Sequence, residues 1–165
     1  MASDRMTVGI VILRKPLKSP WADEAWLPHA VLPAVPSIDE GSMIGEADGG
    51  ETYYAGSAEL DLHAGQTGHY RDNLTSGRPS VWVALRPGDG SHRTAFASVD
   101  PYEGESMAEG IGEVVEAVPM PSLVQAFVQS FIDAHHVERP FIKRQRDKTG
   151  DRESGGRSLR PPKLS

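Results

Sequence analysis

The longest amphipathic pattern in the chain runs from Pro121 to Glu138 and predicts its main helix. Six large apolar side chains recur there at intervals of three and four residues, which places them on one wide helical face. They are Leu123, Val124, Phe127, Val128, Phe131 and Ile132. Burying them contributes roughly 9–18 kcal/mol in gross terms, against a net stability of ~5–15 kcal/mol for a whole domain. We therefore expect this helix to pack against the rest of the domain.

A strand is predicted directly before this helix, from Ile111 to Val118, because the stretch is rich in β-branched residues that suit a half-buried sheet. Pro119 has no amide N–H and ends the strand. The helix then begins in one of two ways. Pro121 suits a first helical position, and Ser122 with Gln125 matches a capping box.

The N-terminal part of the chain predicts further strands. Thr7 to Lys15 carries apolar residues on both alternating faces, which is typical of a central strand. Trp26 to Val31 contains Pro28, and proline within a strand favours a sheet edge or a bulge. Met43 and Ile44 form a short strand, and residues 48–50 form a turn.

The clearest alternation lies between Thr52 and Leu62. One set of alternate positions is mainly apolar and predicts a face turned toward the core. It consists of Tyr54, Gly56, Ala58, Leu60 and Leu62. The other set is polar and consists of Ser57, Glu59, Asp61 and His63.

The remaining segments alternate between strands and short helices. Thr67 to Leu74 predicts a short helix, while Ser80 to Arg86 and His92 to Val99 predict two strands joined by a turn at Pro87 to Ser91. A second short helix follows, and Gly110 is placed to end it. Its start is marked by Asp100 as cap, Pro101 at the first position and Glu103 at the third.

These elements predict an α+β fold: a mainly antiparallel sheet of about five to seven strands with the 121–138 helix packed on one face. Strands joined by short turns precede any long helix, which favours this arrangement over a doubly wound parallel sheet. Residues 6–142 form one domain on this prediction. Residues 143–165 contain few aliphatic side chains and are predicted to be a disordered basic tail.

Charge separates the predicted domain from the tail. Residues 143–165 carry eight basic and three acidic side chains, a net of +5, and the whole chain carries −6, so the first 142 residues carry −11. This polarity favours a tail that meets an anionic partner or its own body, and it makes nucleic acid binding unlikely except weakly through the tail. The chain has no cysteine, which excludes disulfides, thiolate metal sites and a thiol nucleophile. No stretch predicts a signal peptide or a membrane span, so a cytoplasmic location is expected.

No strong catalytic motif occurs in the sequence, and no metal or cofactor site is predicted. The chain contains no P-loop and no glycine-rich dinucleotide motif after a strand. His135 and His136 are adjacent on the main helix, where neighbouring side chains diverge, so they favour a role at the helix C-terminus over chelation.

The polar face of the alternating strand is the main candidate for chemistry. Glu59, Asp61 and His63 can hold a hard cation or act as an acid–base pair, and an enzyme that handles a nucleotide or a pterin would use this face together with Arg71 or Arg86. The alternative is the solvated face of an antiparallel sheet, and the sequence favours that alternative.

Large aromatic and basic side chains are the candidates for partner binding, because such residues dominate protein interfaces. This group consists of Trp21, Trp26, Tyr70, Arg71, Lys143, Arg144 and Arg146. The alternative for the aromatic residues, including Tyr53, Tyr54 and Trp82, is an ordinary position in the core.

Several stretches taken together resemble the bacterial domain-of-unknown-function family 3305, over about residues 6–146. They are the opening GIVILRK, Ser19-Pro20-Trp21 with Trp26 and Pro28, Tyr54-Ala55-Gly56 through His63, Tyr70-Arg71 with Asn73-Leu74, Pro79 through Arg86, VVEAVPMP from Val114, and His135 through Arg144. Members of that family tend to be encoded near formate dehydrogenase and molybdenum-cofactor genes.

The resemblance implies a cytoplasmic accessory role in the maturation of a molybdoenzyme, and it supplies no catalytic residues. We therefore expect a non-enzymatic accessory or protein-binding module that serves a molybdenum-dependent formate dehydrogenase. Its partner is expected to be a molybdoenzyme or a maturation factor. The alternative is an enzyme that handles a nucleotide or a pterin in molybdopterin-guanine dinucleotide biosynthesis.

Overall fold

The computed structural model describes residues 2–88, 92–109 and 114–136. Within these ranges the chain forms seven strands and three α-helices. The strands are β1 (Ser3–Pro16), β2 (Glu24–Leu32), β3 (Met43–Ala47), β4 (Gly50–His63), β5 (Ser80–Pro87), β6 (His92–Ser98) and β7 (Val114–Pro119). The helices are α1 (Thr67–Leu74), α2 (Pro101–Ala108) and α3 (Ser122–His135), and a short 3-10 helix, Ala64–Gln66, leads into α1. The predicted α+β class is confirmed.

The strands pair antiparallel and form two sheets, with the orders β2-β1-β4-β3 and β6-β5-β7. The sheets approach one another at both sides, because β4 packs against β6 and β2 packs against β7. Between β6 and β4, the hydroxyl of Thr94 donates a hydrogen bond to the carbonyl oxygen of Ala55 at 3.0 Å. The strands therefore surround a shared core, and the predicted antiparallel strands are divided between two sheets.

The core is filled from both sheets and from α3. Alternate residues of β1, β4 and β5 point inward, as expected for strands with one apolar face. They include Val8, Ile10, Ile12, Leu60, Leu62, Val81, Val83 and Leu85, all of them almost fully buried. Val124, Val128, Phe131 and Ile132 of α3 join the same cluster. The predicted packing of this helix is thus confirmed, although Leu123, which was expected on its apolar face, is 64% exposed.

A bulge in β4 changes which of its side chains face the core. Gly9 pairs with Ser57 and Val11 with Tyr54, so two steps along β1 correspond to three along β4. The extra residue is accommodated near Gly56, whose φ of +98° suits glycine. As a result Ala55 joins the core cluster, while the Tyr54 ring lies 3.2 Å from where a Cβ on Gly9 would be. The predicted common face of Tyr54 with Leu60 and Leu62 is therefore wrong.

The turn between β3 and β4 fits the predicted position. Asp48 and Gly49 both have positive φ, at 49° and 81°. Two such residues in succession match the tight hairpin turn whose twist suits antiparallel strands. β3 is thereby placed at the outer edge of its sheet.

The start of α2 follows its local chemistry, whereas the start of α3 differs from both predictions. The Asp100 side chain accepts hydrogen bonds from the backbone amides of Tyr102 and Glu103, as the sequence predicts for α2. At α3 neither predicted start is realised, because the extended Pro121 is the cap residue and no side chain caps the helix. His135 and His136 lie at the C-terminus of α3, as predicted.

Several predictions concern residues outside the described ranges: the strand residues 111–113, the helix end at Gly110, part of the turn at 87–91, and the tail 143–165. Among the described helices, none is long and apolar enough to cross a membrane.

Candidate functional site

A charged network lies at one end of the core. Val8, Ile10 and Ile12 are alternate, buried residues of β1, and Arg14 is the next residue in that alternation. Its guanidinium donates from Nε to Oε1 of Glu24 on β2 and from a terminal nitrogen to Oε1 of Glu51 on β4, both at 2.7 Å. One arginine thus ties three neighbouring strands together.

Each carboxylate of this network also holds an aromatic side chain. The indole N–H of Trp26 donates to Oε2 of Glu24 at 2.8 Å, and the hydroxyl of Tyr53 donates to Oε1 of Glu51 at 2.7 Å. The two aromatic rings lie 5.6 Å apart with their planes tilted by 48°. Both rings are therefore fixed through carboxylates that Arg14 orients.

The network favours an ionised Glu24 and a neutral Tyr53 phenol. The hydrogen bond from Arg14 lowers the pKa of Glu24, and the bond from Trp26 lowers it further. The hydrogen bond to Glu51 raises the pKa of Tyr53, because losing the proton would remove that bond and place two anions together. Near neutral pH the Arg14 guanidinium therefore faces an ionised Glu24, and the Tyr53 phenol keeps its proton.

The network borders a cavity of about 390 Å³, called here the aromatic cavity. Its walls are Ile12, Arg14, Glu24, Trp26, Gly41, Tyr53, Tyr54 and His92. The His92 ring stacks on Trp26, with centroids 5.5 Å apart and planes within 24°. The rings of Trp26, Tyr53 and His92 thus meet at one cavity, and Arg14 and Glu24 add polar groups to its wall.

His92 contributes an unusual polar atom. Its Nδ1 is buried and has no hydrogen-bond partner in the part of the chain described. Burial lowers the pKa of His92, and the nearby Glu24 opposes this effect without overcoming it. The imidazole is therefore neutral at physiological pH, and the half-buried Glu24 supplies the negative charge near it.

A second, more open groove of about 750 Å³ adjoins the network. Arg14 lines both spaces, and Glu46, Asp48 and Glu51 add three carboxylates to the groove. The imidazole of His29 lies 3.9 Å from the Asp48 carboxylate. This end of the molecule therefore presents more negative than positive side chains.

The predicted polar face of β4 is exposed to solvent, as the favoured interpretation expects. Ser57, Glu59, Asp61 and His63 are all exposed. Arg5 on β1 lies 3.1 Å from the Glu59 carboxylate and 3.5 Å from that of Asp61. Such exposed pairs add little to stability because water and salt screen them.

Part of this face borders a smaller cavity of about 210 Å³. Asp61 and His63 line it together with Gln66, Tyr70, Phe96, Ala97, Ser98, Asp100 and Glu103. Asp100 caps α2, and Glu103 accepts a hydrogen bond from the Ser98 hydroxyl at 2.7 Å. Glu59, Arg71 and Arg86 do not line this cavity, so only two of the residues proposed to act together meet there.

The predicted partner-binding residues are dispersed. Trp21 is 90% exposed, whereas Tyr70 is 2% exposed and its hydroxyl oxygen accepts a hydrogen bond from the His63 amide. Trp26 belongs to the aromatic cavity, and Arg71 is exposed on α1. The remaining three, Lys143, Arg144 and Arg146, lie outside the described residues.

A concentration of exposed apolar side chains marks a different surface. Among the described residues, nine large apolar or aromatic side chains are exposed, and four of them lie within residues 35–44. They are Val35, Ile38, Met43 and Ile44, each between 44% and 50% exposed. Residues 35–44, called here the apolar segment, are anchored because the Gly41 amide donates to the Tyr54 carbonyl at 2.7 Å. Ser42 in turn accepts from the Tyr54 amide at 2.9 Å.

A family model matches most of the chain. The family model described as "Protein of unknown function (DUF3305)" matches residues 7–145. The chain belongs to the DUF3305 family. Neither a curated protein nor a solved structure matches the chain.

The match to DUF3305 spans all the residues that line the aromatic cavity and the whole apolar segment. In this DUF3305 chain, no group of three or more histidine or carboxylate side chains is placed to hold a metal ion within ranges 2–88, 92–109 and 114–136.

Sequence reasoning missed the Arg14 network. Arg14 and Glu24 are ten positions apart and Arg14 and Glu51 are 37 apart, so no local motif joins them. The sequence contained one indication of the network. Arg14 follows Val8, Ile10 and Ile12 at the next alternate position of β1, where an apolar residue is expected. Pairing it with two glutamates required the register of three strands.

Proposed function

We propose that this DUF3305 protein is a non-enzymatic accessory module that binds another protein and serves the maturation of a molybdenum-dependent formate dehydrogenase. The binding role rests on the apolar segment, and the formate dehydrogenase setting rests on what the family resemblance implies. The partner is the dehydrogenase itself or a factor that matures it.

The observation that carries the binding role is the exposure of the apolar segment. Contiguous exposed apolar side chains on a soluble domain mark interaction sites more often than isolated ones do. Met43 and Ile44 are the first two residues of β3, the outermost strand of the sheet, and Ile38 precedes them in the chain. An edge strand also offers backbone groups to an incoming chain. The segment therefore supplies both apolar surface and an available sheet edge.

Affinity capture from the native host tests this role. The tagged full chain is expected to recover a subunit of a molybdoenzyme or a maturation factor, identified by mass spectrometry. The double variant Ile38→Asp/Ile44→Asp is expected to lose that partner. Leu123→Asp is the matched control because Leu123 is equally apolar and 64% exposed, but lies on α3.

Deletion of the gene provides the functional arm of the same test. Loss of the module is expected to lower formate dehydrogenase activity, and the wild-type chain is expected to restore it. The proposal fails if the wild-type chain recovers no molybdoenzyme component and deletion leaves dehydrogenase activity unchanged.

A second candidate function, the handling of a nucleotide or a pterin, draws support from the 210 Å³ cavity beside Asp61 and His63. A carboxylate and an imidazole on one wall are suited to proton transfer. Calorimetry with a guanine nucleotide and Mg²⁺ is expected to show heat of binding that Asp61→Asn and His63→Ala reduce. Absence of binding heat from the wild-type chain contradicts this candidate.

A further inference from the structure

We propose that the aromatic cavity binds the positively charged side chain of an arginine or lysine of the partner protein. This inference rests on the proposed binding function and identifies a specific anchor for it. The apolar segment contributes the surrounding contact, and the cavity receives one basic side chain.

The walls of the cavity have the chemistry that cations prefer. The rings of Trp26, Tyr53 and His92 meet there, and the negative faces of aromatic rings attract ammonium and guanidinium groups. Trp26 and Tyr53 are each partly exposed, so an incoming group reaches their rings without unfolding the site.

Hydrogen bonds hold the two central rings in place before any ligand arrives. Glu24 fixes the Trp26 indole and Glu51 fixes the Tyr53 hydroxyl, while Arg14 holds both carboxylates. A preorganised site loses less conformational freedom on binding than a mobile one. The network thus stabilises the walls of the cavity as well as the ends of three strands.

The charge of the site also selects a cation. Glu24 and Glu51 supply two negative charges against the single positive charge of Arg14. The adjoining groove adds Glu46 and Asp48. An anionic ligand meets net repulsion here, whereas a cationic side chain is attracted and its approach is steered.

The position of the cavity connects it to the proposed interface. Gly41 lines the cavity and also lies within the apolar segment. Because Gly41 lies between Ile38 and Met43 in the sequence, a partner that covers these two residues also comes close to the cavity. Arginine, tryptophan and tyrosine are the residue types that most often dominate binding energy at interfaces.

Nuclear magnetic resonance of the full chain tests the inference with small probes. N-acetyl-L-arginine amide is titrated, and the indole N–H signal of Trp26, assigned from Trp26→Phe, reports binding because that N–H bonds to Glu24. Saturable shifts with a Kd on the order of 1 mM are expected. The neutral isostere N-acetyl-L-citrulline amide is expected to bind about tenfold more weakly because it lacks the charge.

Two variants distinguish the contribution of the Glu51 charge to arginine binding from that of the fixed Tyr53 ring. Glu51→Gln removes one negative charge and is expected to weaken arginine binding by about threefold or more. Tyr53→Phe keeps the ring but frees it from Glu51, and is expected to weaken binding less. Glu59→Gln, a carboxylate on the exposed face of β4, is the matched control and should bind as the wild type does.

Three outcomes overturn the inference. One is equal affinity for the citrulline and arginine probes, and another is no shift at about 100 mM probe in a chain whose spectrum remains folded. The third is tighter binding of free spermidine than of an acetyl-Gly-Arg-Gly amide peptide, which assigns the site to a free polyamine. If partner capture depends on Ile38 and Ile44 but the chain binds no arginine probe, only the proposed role of the cavity is refuted. If the chain binds the arginine probe but captures no molybdoenzyme partner, only the proposed function is refuted.

Discussion

Arg14 on β1 and Glu51 on β4 are register partners whose side chains meet at 2.7 Å, although 37 positions separate them in the chain. The bond joins two strands and also sets the Tyr53 hydroxyl through the same carboxylate oxygen. A single pair thus couples the end of the sheet to the wall of the aromatic cavity.

The first prediction concerns the electrostatics of this network. Arg14→Met removes the largest cause of the lowered pKa of Glu24, so that pKa is expected to rise toward its ordinary value of 4.5. Trp26→Phe removes the second cause and is expected to produce a smaller rise. Carbon-detected titration of the Glu24 carboxyl measures both. A larger rise in Trp26→Phe than in Arg14→Met contradicts the prediction.

The second prediction concerns stability at acid pH. Burial lowers the pKa of His92 below its ordinary 6.5. The unfolded chain therefore takes up a proton as the pH falls through about 6.5, while the folded chain keeps this imidazole neutral to lower pH. The stability that the neutral, half-buried His92 contributes is complete above about pH 6.5 and is lost as the pH falls below that value.

His92→Phe keeps a ring beside Trp26 but cannot be protonated. Its free energy of unfolding is expected to fall less than that of the wild type between pH 7.5 and 5.5, a window of about one unit on either side of 6.5. Urea unfolding at each pH provides the measurement. Parallel pH profiles for the two proteins count against the assignment.

The third prediction compares two helical glycines. A Cβ on Gly104 of α2 collides with the indole of Trp82, whereas a Cβ on Gly68 of α1 meets nothing within 4 Å. Gly104→Ala is expected to destabilise the protein by about 1–3 kcal/mol through overpacking. Gly68→Ala, its matched control, is expected to stabilise it by about 0.5–1 kcal/mol through helix propensity. Chemical denaturation measures both, and equal effects of the same sign refute the packing argument.

The fourth prediction concerns Asn73, a buried residue of α1 that bonds to the start of β5 and to the residue after β6. Its Nδ2 donates to the carbonyl oxygens of Ser80 and Val99 at 2.8 Å, and its Oδ1 accepts from the Ser80 amide at 2.9 Å. Asn73→Ala leaves these backbone groups without a side-chain partner, at a cost on the order of 3 kcal/mol.

Asn73→Asp is expected to be at least as damaging as Asn73→Ala, because an ionised carboxylate cannot donate to two carbonyl oxygens. Thr75→Ala is the control, since the Thr75 hydroxyl bonds in an exposed position at the end of α1. Urea unfolding of the three variants ranks them, and a milder effect of Asn73→Asp would count against this account.

The regular elements were largely predictable because local chemistry specifies them. The alternation in β5 places Val81, Val83 and Leu85 in the core, and Asp100 caps α2 as its sequence indicates. The limits of α1 were predicted from residues 67–74 alone. Each of these features depends on neighbours within a few positions along the chain.

The aromatic cavity was not predictable to the same degree. Trp26 was singled out as a candidate for partner binding, but its setting with Tyr53 and His92 follows from two sheets closing around one core. The bulge at Gly56 moved Tyr54 away from the row it was assigned to. A shift of one residue reverses every side chain beyond it, and the pattern before and after the bulge looks continuous in sequence.

The sequence by itself determined most of the strands, the start of α2, the apolar row of β5 and the acidic body, because these follow from periodicity, capping and composition. Tertiary structure alone decided that Arg14 meets Glu24 and Glu51 and that the rings of Trp26, Tyr53 and His92 meet at one cavity. The physical reason is that strand register brings together residues ten and 37 positions apart, and register is set by the packing of the whole core.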